Sequence, residues 1–95
     1  MSLTKADIVQ KIAEQNGYTQ FKAALIFENL IEIIKRTLET GEDVMITGFG
    51  KFMVKEKTAR QGRNPANGEI MVLPARRIVT FKVSGNLRER VNGDL

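Results

Sequence analysis

The sequence predicts an α+β protein: a two-helix N-terminal body, a three-stranded antiparallel sheet with a protruding β-ribbon arm, and a short C-terminal helix. Three observations predict it. Apolar residues recur three and four apart through the first forty positions, alternating β-forming runs bounded by turn residues follow, and a last short periodic stretch opens on a serine. The order helix, helix, strands, helix is that of an antiparallel α+β fold. No internal repeat or low-complexity tract interrupts it. Ninety-five residues hold one core, so 1–95 is expected to be a single domain. Within it lie a helical body (1–42), a sheet (43–82) bearing the arm (59–74), and a terminal helix (83–93).

Thr4-Lys5-Ala6-Asp7 reads as a capping box with an acid at its third position, opening the first helix. Ile8, Val9, Ile12 and Ala13 form its apolar stripe, and Asn16-Gly17 ends it. Thr19 is the N-cap expected for a second helix, which runs from Gln20 to Glu39 and stops at Gly41, a length of about 30 Å at 1.5 Å per residue. Phe27, Leu30, Ile31, Ile34 and Leu38 make its main stripe. Leu25, Ile26 and Ile33 lie off that stripe, so one face cannot bury every large side chain. Of two explanations, a wide stripe in one core or a stripe shared with a second copy, the shared stripe is favoured, because the rest of the chain offers few apolar residues to cover both sides.

Val44-Met45-Ile46-Thr47 leads as a strand into the tight turn Gly48-Phe49-Gly50. From Lys51 to Thr58 the chain alternates, with Phe52 and Val54 on one side and Lys51, Met53, Lys55 and Lys57 on the other. Arg77 to Lys82 is another strand. Ser84 is the expected N-cap of the last helix, where Leu87 and Val91 stand four apart before Asn92-Gly93.

Composition narrows the function. The chain has no histidine and no cysteine, which removes the commonest general base, thiol chemistry, disulfides and a structural zinc site. The only serines are Ser2 and Ser84. Glu42 and Asp43 fall where a turn enters a strand and read as solvated carboxylates. No enzyme and no cofactor are expected. The apolar runs are too short and too broken by charge for a membrane span, and no charged-then-apolar leader opens the sequence, so a soluble cytoplasmic binding domain is expected. A domain of this size buries only about two-thirds of its unfolded surface, and oligomerisation is the cheap way to enlarge its core.

Charge placement says more than the net +4. Residues 1–50 carry five Lys/Arg against seven Asp/Glu, whereas residues 51–90 carry ten against three. Such an asymmetry points to a polyanionic partner for the second half.

The sharpest feature is the stretch from Ala59 to Pro74, Ala-Arg-Gln-Gly-Arg-Asn-Pro-Ala-Asn-Gly-Glu-Ile-Met-Val-Leu-Pro. Asn67-Gly68 is a strong two-residue hairpin signal, since a type I′ turn takes positive φ at both positions. Folding there sets the Arg60-to-Pro65 half roughly opposite the Glu69-to-Pro74 half. Two readings stay open. One is a solvated basic loop. The other is an arm lying in a nucleic-acid groove, with Arg60 and Arg63 on phosphates or the groove floor, Asn64 on base-edge acceptors, and the rigid Pro65, which has no amide hydrogen, as a wedge. A proline at a loop tip is more often only a turn former.

Gly48-Phe49-Gly50-Lys51-Phe52, then Arg60, then Gly62-Arg63-Asn64-Pro65 with Gly68 beyond, resembles the signature of the bacterial HU/integration host factor family of DNA-bending proteins. The resemblance spans essentially the whole chain without gaps. Ala75-Arg76-Arg77-Ile78-Val79-Thr80-Phe81 is more similar to the alpha type of integration host factor than to HU. It implies an intertwined two-fold dimer whose two ribbon arms embrace duplex DNA from the minor groove. Pro65 matches the intercalating proline, and Arg60, Arg63 and Asn64 match the arm residues beside it. Thr47, Gly48, Thr4 and Lys5 match backbone-phosphate positions, while Arg76, Arg77 and Lys82 match basic positions on the saddle. The dimer core implied is Phe27, Leu30, Ile31, Ile34, Phe49 and Phe52. A beta-type integration host factor subunit is the implied partner, with a homodimer as the alternative, in the bacterial nucleoid. Nucleoid organisation, recombination, replication, transcription and translation regulation are the implied processes.

Two departures stand out. Asn67 replaces a usual threonine, and Ser84-Gly85-Asn86 replaces a Gly-rich, lysine-bearing lead into the last helix, so no lysine role passes to Asn86.

Bending also suits the parts physically. Phosphate neutralisation supplies sequence-independent affinity, and wedges unstack base steps at a cost that flank contacts offset. Preference among sequences then comes mainly from deformability and groove width. Two alternatives compete. RNA or single-strand binding would want stacking platforms, but Tyr18, Phe21, Phe27, Phe49, Phe52 and Phe81 fall mostly at core or turn positions. A protein-interaction module clamping an acidic partner would not bind bare DNA tightly.

Overall fold

The computed structural model describes residues 1–93 and divides into two compact units, Met1–Arg36 and the chain from Thr37 onward. The first unit holds α1 (Lys5–Asn16) and most of α2 (Gln20–Glu39). Both helices begin where local chemistry dictates. The Thr4 hydroxyl accepts from the Asp7 amide at 3.3 Å, and the Asp7 carboxylate accepts from the Thr4 amide at 3.0 Å. Hydrogen bonding to the carboxylate, first from the Thr4 backbone amide and then from the Thr4 side chain, holds the Asp7 carboxyl below its usual pKa. Gly17, with φ 67°, turns the chain out of α1, where a Cβ would be strained. Thr19 caps α2 through the Lys22 amide at 3.1 Å.

The core of this unit is small. Val9, Ala13 and Ala23 are its buried apolar residues, with Ile12, Ala24 and Phe27 packed partly buried against them. Ala23 is the fully buried residue of this core. On α2 the expected stripe is only partly covered. Phe27, Ile31, Ile34 and Leu38 are half-buried, but Leu30 joins Phe21, Leu25, Ile26 and Ile33 among the exposed residues. Ile26, Leu30 and Ile33 are spaced by four and three, so they form a second apolar stripe on the same helix.

The second unit contains a three-stranded antiparallel sheet in the order β1 (Val44–Ile46), β2 (Gly50–Lys57), β5 (Arg76–Val83). Between β2 and β5 in sequence, β3 (Arg60–Arg63) and β4 (Ile70–Leu73) pair only with each other. Then α3 (Gly85–Asn92) follows, its Leu87 amide capped by the Ser84 hydroxyl at 3.1 Å. The β1–β2 turn closes through the Phe49 amide on the Ile46 carbonyl at 3.0 Å, with Gly48 at φ 82°. The same Phe49 carbonyl accepts from the Ser84 amide, tying this turn to the start of α3.

Asp43 is not a merely solvated turn carboxylate. Its Oδ1 accepts from the Val54 amide at 2.9 Å, and it lies 3.7 Å from Lys51 Nζ. It therefore satisfies a β2 donor that the three-residue β1 is too short to reach.

One sheet face is aromatic. Phe81 sits opposite Phe52 in the ladder, with ring centroids 4.8 Å apart, and 5.2 Å from Phe49. Gly50 is buried beneath it, and a Cβ there would lie 2.6 Å from Phe81 Cε1 and 2.7 Å from the Lys82 carbonyl oxygen. Gly50→Ala is accordingly expected to cost at least 1–3 kcal/mol, roughly the penalty of overpacking. Thermal unfolding at fixed protein concentration reads it, and an unchanged Tm would show that the ring yields without strain. The rest of this face stays open: Phe49, Val79 and Phe81 are all exposed.

Candidate nucleic-acid interface

The arm is the β3–β4 ribbon. Its register pairs Arg60 with Leu73, Gln61 with Val72, Gly62 with Met71 and Arg63 with Ile70. The turn differs from the type I′ hairpin expected at Asn67-Gly68. Among the described residues no non-glycine residue has positive φ, so Asn67 does not adopt that geometry, and only Gly68 does, at 73°. A wider loop from Asn64 to Glu69 closes the ribbon instead. The Asn64 amide donates to the Glu69 carbonyl at 2.8 Å, and the Gly68 amide donates to the Asn64 carbonyl at 2.7 Å. Two asparagine side chains complete it: Asn64 Oδ1 accepts from the Ala66 amide and Asn67 Oδ1 from the Glu69 amide. Side-chain bonds to nearby amides outcompete the strained two-residue turn, and they shift the register from the one a 67–68 turn would set.

This loop places the tip residues. Pro65 follows Asn64 at the start of the turn and is exposed, and no amide hydrogen is missing from the closing bonds. Asn64 is half-buried with its side-chain oxygen already used, so the polar group its side chain still has to offer is the NH2 donor. Donors are what the acceptor-lined minor-groove floor requires. Arg63 is held near the tip by its Nη1 on the Gly68 carbonyl at 3.4 Å.

The two arm arginines do not share a face. Arg60 and Arg63 are three apart on one strand, and side chains alternate along it. Arg60 therefore shares the face of Leu73 and Met71, and Arg63 that of Gln61, Ile70 and Val72. Gly62 keeps the first face low: a Cβ there would meet Leu73 Cδ1 at 3.4 Å.

The remaining expected residues fall into three groups. Thr47, Gly48 and Lys82 line one concave surface together with Lys51, Ser84 and Gly85. Lys51 was not among the expected site residues. Its signal is positional, since the ladder sets it directly opposite Lys82. Arg76 and Arg77 stand at the root of the arm, opposite Lys57 and Glu56. Both are exposed, and Arg77 donates to Glu56 and to the Glu39 carbonyl. Thr4 and Lys5 belong to the helical unit. Thr4 is committed to the capping box, and Lys5 Nζ pairs with Glu28 at 2.9 Å, an exposed contact worth at most about 1 kcal/mol. Among the described residues no cluster of acidic groups could hold a metal ion, and no helix is long and apolar enough to cross a membrane.

A protein that presents a basic, two-stranded arm on a small sheet is what this fold and site define. Comparison with known proteins gives the family. The family profile for bacterial DNA-binding proteins matches residues 3–92. Integration host factor subunit alpha from Anaeromyxobacter sp. (strain K) is 44% identical over 93 residues, covering 98% of this chain and 82% of that one. The same subunit from Glaesserella parasuis serovar 5 (strain SH0165) is 46% identical over 91 residues, covering 96% and 93%. Among solved structures, the Anabaena HU–DNA cocrystal structure superposes with a TM-score of 0.80 at 34% identity, covering 93% of this chain and 96% of that one. The chain belongs to the bacterial DNA-binding protein family of HU and integration host factor, and is a DNA-binding architectural protein rather than an enzyme.

Proposed function

We propose that the protein acts as a dimer that grips duplex DNA in the minor groove with two arms and bends it by inserting Pro65 from each. The observation that carries the reading is the ribbon itself: two strands that pair only with each other, basic on both faces, tipped by an exposed proline beside Asn64. Wedge insertion is the general device of minor-groove architectural proteins, this family among them. Arg60 and Arg63, on opposite faces, would each meet one wall of an opened groove, with Asn64 on base-edge acceptors. Thr47, Gly48, Lys51 and Lys82 would receive a flanking phosphate, as would Arg76, and the start of α1 at Thr4 and Lys5 another.

Dimerisation is supported by what the chain leaves uncovered. Leu30 and its neighbours on α2 and the Phe49–Phe81 face of the sheet are too apolar to remain in water. A second subunit sharing Phe27, Leu30, Ile31, Ile34, Phe49 and Phe52 would complete both cores. Similarity to subunits named alpha favours a related beta-type subunit as that partner. The roles that follow are nucleoid organisation, recombination, replication and transcriptional control.

The test is binding and bending of linear duplex by the purified chain, with and without a beta-type subunit, alongside sizing. A duplex left straight at low ionic strength in both mixtures would overturn the proposal. Arg63→Ala is expected to weaken binding to all duplex sequences and to flatten the slope of log K against log salt by about 0.9 for each phosphate contact removed. Titrations across a salt series check this, and an unchanged slope would take Arg63 off the phosphates.

A further inference from the structure

We infer that Arg77 is a positioning residue of the arm root, not a phosphate ligand. The last turn of α2 closes in a Schellman arrangement: the Glu42 amide donates to the Thr37 carbonyl at 3.3 Å, and the Gly41 amide to the Leu38 carbonyl at 3.0 Å. That arrangement leaves the Glu39 carbonyl without an amide donor. Arg77 Nη1 donates to this oxygen at 3.0 Å, while its Nε donates to Glu56 Oε1 at 3.3 Å. Gly41, at φ 91°, takes the left-handed conformation that closes the helix, and the Arg77 guanidinium packs beside it at ordinary van der Waals distance. A fixed cation thus sits at the negative end of a twenty-residue helix, where it is favourable. The planar fork is what allows one side chain to serve both acceptors.

Glu56 and Arg77 are paired in the ladder, and the next pair, Lys57 with Arg76, is the last before the chain departs into the ribbon. Fixing Arg77 therefore fixes the take-off of both arm strands and the aim of Arg76. Both arginines are exposed, but two of the Arg77 nitrogens are occupied by protein acceptors. The functional half of this assignment rests on the bending role proposed above. The capping half does not.

The experiment compares Arg77→Ala, Arg77→Lys, Arg76→Ala and a core control, Val9→Ala, in the full chain at one protein concentration. Without DNA, Arg77→Ala is expected to lose roughly 4 °C or more in Tm, the shift that one lost cap produces in a domain of this size. Its salt slope should match wild type, whereas Arg76→Ala should flatten it by about 0.9 for each phosphate contact removed. At saturating protein and well below each Tm, end-to-end FRET of a bent duplex should fall for Arg77→Ala and not for Val9→Ala. Should Arg77→Ala not fold, Arg77→Lys decides: a Tm below wild type with an unchanged slope is expected, because lysine keeps the charge but not the fork. A wild-type Tm for Arg77→Lys, or a flattened slope for Arg77→Ala, would overturn the assignment in favour of a phosphate ligand. Equal loss of FRET in Val9→Ala would reduce Arg77 to general stability and also overturn it. If wild type itself leaves DNA straight, the bending role fails, and the DNA-free Tm still judges the cap.

Discussion

Leu30→Glu is expected to break the dimer and with it nearly all DNA binding. Leu30 is 52% exposed on a helix whose other apolar side already covers the small α1–α2 core. In the proposed dimer it enters an interface, where burying a leucine is worth about 1.5–3 kcal/mol and burying a lone carboxylate costs several more. In a homodimer two-fold symmetry places the change on both subunits, and in a pair with a beta-type subunit it stands once. The sum exceeds about 3 kcal/mol, a loss of at least roughly a hundredfold in association. Sedimentation and duplex titration should therefore show monomer and lost binding together, and the concentration dependence of Tm that marks a dimer should vanish. A variant that sediments and binds as wild type does would show that this stripe is not an interface.

Pro65→Ala should separate bending from affinity. A wedge unstacks a base step at a cost of a few kcal/mol and opens a kink of roughly 20–90°. Removing it removes both the cost and the flank contacts that the kink permits, so affinity changes by less than about tenfold while much of the bend is lost. The loop itself should survive, because its closing bonds run through Asn64, Asn67, Gly68 and Glu69 and none uses Pro65. FRET across a linear duplex at saturating protein measures this. Wild-type FRET in the variant would remove the wedge role and leave the arms as clamps.

Features governed by neighbours within about four residues were legible in the sequence. Thr4 with Asp7, Thr19 with Lys22 and Ser84 with Leu87 are caps whose bonds span three residues, and each helix begins where they predict. The alternation of Phe52 and Val54 against Lys51 and Met53 likewise foretold β2 and its aromatic face. The arm's existence could be read from a basic, Gly- and Pro-containing run between two strands. Its turn could not, because Asn64 and Asn67 compete with the backbone for the same amides, and the pattern Asn-Gly does not say which wins.

Pairing across the chain decided the rest. That Arg60 and Arg63 face opposite ways follows from alternation only once the ribbon's register is known. Lys51 joins Lys82 because two strands lie side by side, and Asp43 serves Val54 eleven residues away. Arg77 shows the difference most clearly: in the chain it is one of two adjacent arginines, and in the fold its donors close on a carbonyl 38 residues distant. Composition, charge placement and short-range capping are properties of the chain as written. Which cation bonds to a helix end depends on where folding brings the acceptors, and no local pattern encodes that distance.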